Sequence, residues 1–108
     1  MIELTSTSQL KSLHEEHKGE LYFLLKHSTR CAVSAMAFAE FERFSSKHSD
    51  ISCAFVKLIE HRDVSDMIAE LTGIVHQSPQ IFLFDRGELI WNASHSEINE
   101  DSMASHLP

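Results

Sequence analysis

The segment HSTRCAVSA, residues 27–35, contains two side chains whose types and spacing suggest thiol chemistry. Cys31 carries a thiol, and Ser34 stands three positions later, where a redox motif with two thiols would have its second cysteine. A cysteine thiolate attacks disulfides through a mixed-disulfide intermediate, but a serine hydroxyl cannot displace that intermediate. The spacing therefore indicates either a nucleophile that works without a resolving thiol or a cysteine that simply packs at the start of a helix.

The position of Cys31 favours the chemical interpretation. The apolar run ELYFLLKH, residues 20–27, predicts a buried strand just before it, and the alanine-rich stretch after it predicts a helix. A helix start supplies unpaired amide hydrogens and a partial positive charge, and both favour thiolate over thiol. Arg30 adds a neighbouring charge, and Ser34 could donate a hydrogen bond to the sulfur or merely cap the helix. His27 could act as a base or cation for the thiolate or pack at the strand end, and we favour packing.

The segment HQSPQIFLF, residues 76–84, is a second candidate wall of the site, because Pro79 precedes an apolar strand there. Proline has no amide hydrogen and is confined to strand starts or edges. A cis Ser78–Pro79 bond would turn the backbone of Ser78 outward, toward an extended substrate chain. The residues alone favour the trans form, because only about 5–6% of such bonds in folded proteins are cis.

The remaining cysteine and the histidines are interpreted as structural. Cys53 lies in a second apolar strand, ISCAFVKLIEH, and we expect it to be buried and too far from Cys31 for a disulfide. His14 and His17 are one helical turn apart among eight histidines, but a zinc site needs three or four ligands. No other pair has useful spacing, so we expect solvated histidines and no metal.

Periodicity predicts alternating strands and helices in the order (β)αβαβαββα, which implies an α/β domain with a mixed sheet and helices on both faces. Thr7 or Ser8 should cap the first helix, which should end at Gly19, and the last helix should begin at Ser96. Two apolar runs joined by residues 85–87 predict a hairpin. Two helical stripes should face the core: Val33, Ala37, Phe41 and Phe44 in one helix, and Val64, Met67, Ile68 and Leu71 in another.

Composition limits the class of protein. The 108 residues suit a single domain, residues 1–108, with 43% hydrophobic and 23% charged residues. A net charge of −7 gives no electrostatic footprint for nucleic acid or an anionic membrane. We recognise no secretory signal, and the longest apolar run, Leu21–Leu25, is far too short for a membrane helix. We expect a cytoplasmic protein, in which any disulfide would be transient.

The sequence resembles the YtxJ-like family of monothiol bacilliredoxins, which have a thioredoxin-like fold and belong to the bacillithiol system. The resemblance is carried by KHSTRC with Ser34, by IAELTGIVHQSPQIFLF and by WNASHSEI, which span nearly the whole chain in order. It implies that Ser34 holds the place of the absent resolving cysteine and that Pro79 is a cis-proline facing the thiol. The implied site consists of the catalytic Cys31 and of substrate-binding Thr29, Arg30, Ser34, Ser78 and Pro79.

The resemblance also implies a function, with one departure. The family usually has proline directly after the cysteine, whereas this chain has Ala32, which tolerates the same helical geometry but bears on the redox potential. The implied activity is a thiol–disulfide oxidoreductase that removes bacillithiol from protein mixed disulfides. Bacillithiol would be its co-substrate and bacillithiolated proteins its partners, with no bound cofactor and a monomeric chain. The alternatives are a binding module without turnover that uses the Ser78–Pro79 surface and, least favoured, an iron–sulfur cluster shared between two chains.

Overall fold

The computed structural model describes all 108 residues and contains a five-stranded mixed sheet with helices on both faces, as the sequence predicts. The strands are Ile2–Leu4 (β1), Leu21–His27 (β2), Ser52–Lys57 (β3), Gln80–Asp85 (β4) and Glu88–Ser94 (β5), and the helices are Thr7–Glu16 (α1), Ala32–Lys47 (α2), Arg62–Thr72 (α3) and Glu100–Ser105 (α4). The order in the sheet is β1-β3-β2-β4-β5. The first three are parallel, while β4 runs antiparallel to β2 and β5 antiparallel to β4. None of the helices combines the length and the apolar composition that crossing a membrane requires.

The central strand β2 is buried on both faces, which explains its continuous apolar run. Phe23 and Leu25 belong to the core cluster that α2 and α4 cover, whereas Tyr22 and Leu24 belong to the cluster that α1 and α3 cover. The strand ends at His27, at the carboxyl edge of the parallel part of the sheet. Sites in open α/β sheets form beyond that edge, and the chain continues there directly to Cys31.

The buried face of α2 differs from the predicted stripe at its first position. Ser34, Ala37, Phe41 and Phe44 are buried, whereas Val33 is 42% exposed. These four residues are spaced three, four and three positions apart, so the face that touches the sheet begins one residue later than predicted. A serine therefore takes the innermost place at the start of this helix.

The predicted stripe of α3 is also partly wrong. Val64 and Ile68 are buried as expected, together with Ser65, but Leu71 is 44% exposed. Leu71 lies in the last turn of α3, just before Gly73 ends the helix in the left-handed conformation with φ 70°. The end of the helix thus extends past the packed layer.

The ends of the first helix differ from the sequence prediction. Ser6 caps α1, because its Oγ accepts a hydrogen bond from the Gln9 amide at 3.2 Å. At the other end the helix stops at Glu16 with His17 as the capping residue, before Gly19 is reached. Gly19 does not adopt a positive φ, so its predicted role as the helix stop is wrong.

The last helix begins at Glu100 and not at Ser96. Asn99 caps it, since its side chain accepts a hydrogen bond from the Ser102 amide at 2.9 Å, while the Ser102 hydroxyl accepts one from the Asn99 amide at 3.3 Å. This reciprocal capping box stabilises a helix start more than a single hydroxyl does. Ser96 instead lies in a short 3-10 turn, residues 95–97.

The predicted hairpin is confirmed. β4 and β5 are joined by Arg86 with φ 51° and Gly87 with φ 85°, a two-residue turn in which both residues are left-handed. Such turns match the twist of the flanking strands and favour glycine at the second position. The hairpin places the start of β4 and the end of β5 at the same sheet edge as Cys31.

Candidate active site

Cys31 occupies the capping position of α2, as the sequence predicts. Its backbone is extended, with φ −125° and ψ 125°, and its carbonyl accepts the first helical hydrogen bond from the Ala35 amide at 3.0 Å. The side chain makes no capping bond and is partly exposed. The thiol is therefore open to an incoming disulfide at the positive end of a helix that is 16 residues long.

Ser34 does not bond to Cys31, so the first of the two alternatives for its hydroxyl is wrong. Its side chain is fully buried, and its Oγ lies 2.8 Å from the Ser28 amide nitrogen and 2.8 Å from His27 Nδ1. The Ser28 amide donates a hydrogen bond to the Ser34 hydroxyl oxygen, and the second hydrogen bond joins that hydroxyl to the His27 imidazole. Both partners are themselves buried, and the hydroxyl makes these two bonds and none to the sulfur. Ser34 thus ties α2 to the end of β2 and to the loop that carries Cys31.

His27 has the packing role that we favoured. It is 9% exposed, and its ring stacks on Phe38 with 4.5 Å between the ring centres. Burial, which outweighs its hydrogen bond to Ser34, lowers the pKa of His27 below its ordinary value of 6.5. The imidazole is therefore uncharged at neutral pH, and it supplies no cation to the thiolate.

Pro79 lies at the same edge of the sheet as Cys31. The Ser78–Pro79 bond is cis, as the family resemblance implies and against the trans default of the residues alone. β4 begins directly after it, with Gln80 paired to Lys26 near the end of β2. Pro79 is buried and Ser78 half-buried, so they form a wall beside the end of β2, from which the chain leads to Cys31.

Thr29 and Arg30 form an exposed rim between the end of β2 and the thiol. The Arg30 amide donates to Ser28 Oγ at 3.4 Å, which shapes the loop. The Arg30 guanidinium takes part in none of the six ion pairs of the protein. Its charge is therefore not paired with a carboxylate of the protein.

Sequence reasoning missed His95, which joins the site through its backbone. This residue has φ 57° and donates its N–H to the Pro79 carbonyl at 3.2 Å. Its exposed side chain borders a cavity of about 390 Å³ along α2, to which Val33 and Met36 contribute apolar surface. The motif WNASHSEI contains His95, but no residue spacing marks a contact made by a main-chain amide.

Cys53 is buried and remote, as predicted. Burial raises the pKa of its thiol, and the side chain is only 3% exposed. Cys53 pairs with Phe23 in the sheet, four residues before the Lys57–His27 pair at the edge. Four residues of strand span roughly 13 Å, beyond the ~7 Å that a disulfide allows between alpha carbons. Both cysteines are free.

His14 and His17 are not the solvated histidines that we expected. His14 Nδ1 lies 2.6 Å from the Tyr22 hydroxyl, and His17 bonds to the Leu13 carbonyl at 2.8 Å and to Ser52 Oγ at 2.9 Å. Both rings are partly buried because α1 packs them against the sheet. Burial, reinforced by the charge of nearby Lys18, lowers the pKa of His14. The hydrogen bonds of these two rings therefore stabilise the packing of α1 on the sheet.

The sheet order, the helices on both faces, and a partly exposed cysteine at a helix start on the same sheet edge as a cis-proline define a thioredoxin-fold oxidoreductase. A solved structure provisionally described as an oxidoreductase with a thioredoxin fold is 39% identical, with a TM-score of 0.89 over 97% of this chain and 91% of that one. Thioredoxins share the fold at lower identity. That of Fasciola hepatica is 17% identical with a TM-score of 0.81, over 97% of this chain and 94% of that one. That of Nicotiana alata is 17% identical with a TM-score of 0.79, over 96% and 86%.

The family is narrower than the fold. The model of the monothiol bacilliredoxin BrxC family matches residues 2–103, which is almost the entire chain, and the protein belongs to that family. Its activity is therefore thiol–disulfide oxidoreduction by a single active-site thiol.

Proposed function

We propose that the protein removes bacillithiol from mixed disulfides with client proteins, and that Cys31 alone performs the exchange. The observation that carries this proposal is the arrangement at Ser34. The residue in the place of a resolving thiol is a buried hydroxyl held by two hydrogen bonds, and the other thiol, Cys53, is buried in the core. Membership of the monothiol bacilliredoxin family supports the choice of the small thiol.

The proposed reaction begins with attack by the Cys31 thiolate on the bacillithiol sulfur of the mixed disulfide. A bond forms between Cys31 Sγ and that sulfur, while the bond to the client sulfur breaks. The client leaves as a thiolate and takes a proton from solvent, so it is reduced as Cys31 becomes part of a disulfide. A second bacillithiol then attacks the same small-thiol sulfur, which releases Cys31 and forms bacillithiol disulfide; a partner protein thiol would serve equally.

The surrounding residues have separate parts in the proposal. Ser78 and Pro79 would meet the client chain as an extended segment, since an extended peptide binds at an exposed backbone edge. Thr29 and Arg30 would border the small thiol, and the unpaired guanidinium favours an anionic one. Bacillithiolated proteins are the proposed partners of a monomeric chain. The cytoplasm, which keeps thiols reduced, is the proposed compartment.

The test compares three proteins on a client peptide that carries bacillithiol on its only cysteine. Release of the peptide thiol is followed by mass spectrometry with wild type, Cys31→Ala and the matched control Cys53→Ala. We expect release by wild type and by the Cys53 variant, and none above background with the Cys31 variant. Equal release by Cys31→Ala would refute the mechanism, and binding of the peptide without release by wild type would favour the binding module.

A further inference from the structure

A buried ionic group lies on the face of β2 opposite to α2 and plays no part in the exchange chemistry. Lys26 is fully buried, with its Nζ 3.1 Å from His76 Nδ1 and 5.8 Å from the centre of the Phe82 ring. The neighbouring charges come from Asp66 and Arg62 of α3. His76 belongs to the connection that leads from α3 to Pro79 and is itself exposed.

Burying a lysine ammonium group at this position costs folding free energy. Burial lowers the pKa of Lys26 to about 8, against the opposing effect of Asp66. Burial and the charge of Lys26 also lower the pKa of His76, so its Nδ1 is an unprotonated acceptor for the ammonium at neutral pH. An apolar side chain of similar volume would fill the space without this penalty. What distinguishes Lys26 from such an apolar side chain is its bond to His76.

His76 belongs to the connection of residues 73–79, which has few hydrogen bonds of its own. It contains neither helix nor strand, and residues 74–78 donate no backbone–backbone hydrogen bond. Gln80 holds part of it, because its side chain accepts from the Gln77 amide at 3.2 Å and donates to the Val75 carbonyl at 3.1 Å. Gln80 is 2% exposed and is the sheet partner of Lys26. Lys26 and Gln80, two buried polar side chains on paired strands, therefore both form hydrogen bonds to this connection.

We propose that Lys26 is a positioning residue that, through His76, holds the connection against the sheet and so fixes Ser78 for the client chain. This inference rests on the proposed function, and it assigns the Lys26–His76 pair to recognition of the client. Without this pair, the connection would have to become ordered when the client chain binds, and the entropy lost in that step would weaken affinity for the client. The pair does not touch Cys31, so the intrinsic reactivity of the thiol should be independent of it.

The test uses variants that separate the bond from the packing. Lys26→Met keeps the buried stem and removes the amine, and His76→Ala removes the acceptor from an exposed residue. His76→Asn offers an amide oxygen where Nδ1 stands. Lys18→Met, at an exposed lysine paired only with Glu15, is the matched control. Three quantities are measured: release of a bacillithiolated client peptide, alkylation of Cys31 by iodoacetamide, and hydrogen exchange of the amides in residues 75–78.

We expect Lys26→Met and His76→Ala each to raise KM for the peptide about tenfold and to speed exchange in residues 75–78, while alkylation of Cys31 changes less than about twofold. The double variant should be no worse than either single one, and His76→Asn should recover most of the loss. Additive losses, or alkylation that falls in parallel with peptide release, would overturn the inference. If hydrogen exchange in residues 75–78 is unchanged in both single variants, the inference is overturned, whatever the substrate of the protein is. If the wild-type protein does not act on the peptide, that result counts against the proposed function alone.

Discussion

The hydroxyl of Ser34 is predicted to stabilise the fold and not to assist the thiol directly. Ser34→Ala would leave two buried groups without a partner, the Ser28 amide and His27 Nδ1. Each unsatisfied buried group costs about 1–3 kcal/mol, so the loss of both should lower the free energy of unfolding by about 2–6 kcal/mol. That is a large part of the ~5–15 kcal/mol that holds a domain of this size together.

Urea unfolding measures this loss, with the fluorescence of Trp91 as the probe. Trp91 is the only tryptophan, and it packs against Phe23 and His106, so its emission reports on the core around β2. A single domain below ~150 residues is expected to unfold in two states, which makes the midpoint and slope interpretable.

The matched control is Ser46→Ala, at an exposed serine of the same helix, and it should change the free energy by no more than about 0.5 kcal/mol. A loss below about 0.5 kcal/mol for Ser34→Ala would refute the reasoning. It would mean that the hydroxyl does not hold β2 and the Cys31 loop together and remains free to serve the sulfur.

Three further predictions concern charge, a helix start and the rim of the site. The pKa of Lys26 is about 8 in the folded chain and 10.5 ordinarily, so between these pH values the unfolded chain binds the extra proton. The free energy of unfolding should therefore rise with pH in that window by up to about 3 kcal/mol. Lys26→Met should lack this rise when urea titrations at pH 7 and pH 10 are compared. An equal rise in both proteins would contradict the assignment of the lowered pKa to Lys26. Asn99→Ala should lower the free energy of unfolding by about 1 kcal/mol because it removes the cap of α4, whereas Ser96→Ala should be nearly neutral. If thermal melts rank the two variants in the reverse order, the helix begins at Ser96, as the sequence predicts. Arg30→Met should slow peptide release several-fold at low salt, with the difference shrinking as salt screens the rim charge, and a difference independent of salt would remove the guanidinium from substrate attraction.

The sequence predicted the sheet and the position of Cys31 because both depend on local patterns. A run that is apolar on both faces, followed by an alanine-rich helix, identifies β2, α2 and the cysteine between them. The cap of α4 was misplaced because two polar residues competed for it, and only the reciprocal bonds of Asn99 and Ser102 decide the outcome.

The parts of the site that depend on contacts across the fold were not predictable. Ser34 looked like a partner for the sulfur, but His27 and Ser28, which lie seven and six residues earlier in the chain, take both of its bonds. Likewise, the bond between Lys26 and His76 joins residues 50 positions apart. Sequence spacing carries no information on such pairs, because the packing of α2 on β2 and the path of the connection after α3 decide which residues meet.

The account is tested most directly by identifying the adduct that forms first. Wild-type protein is mixed with a stoichiometric amount of the bacillithiolated client peptide, quenched with acid and analysed by intact mass and peptide mapping. The account predicts one bacillithiol on Cys31, none on Cys53, and a matching amount of free client thiol. A client peptide bound to Cys31 through a disulfide, or bacillithiol that remains on the peptide, would contradict it.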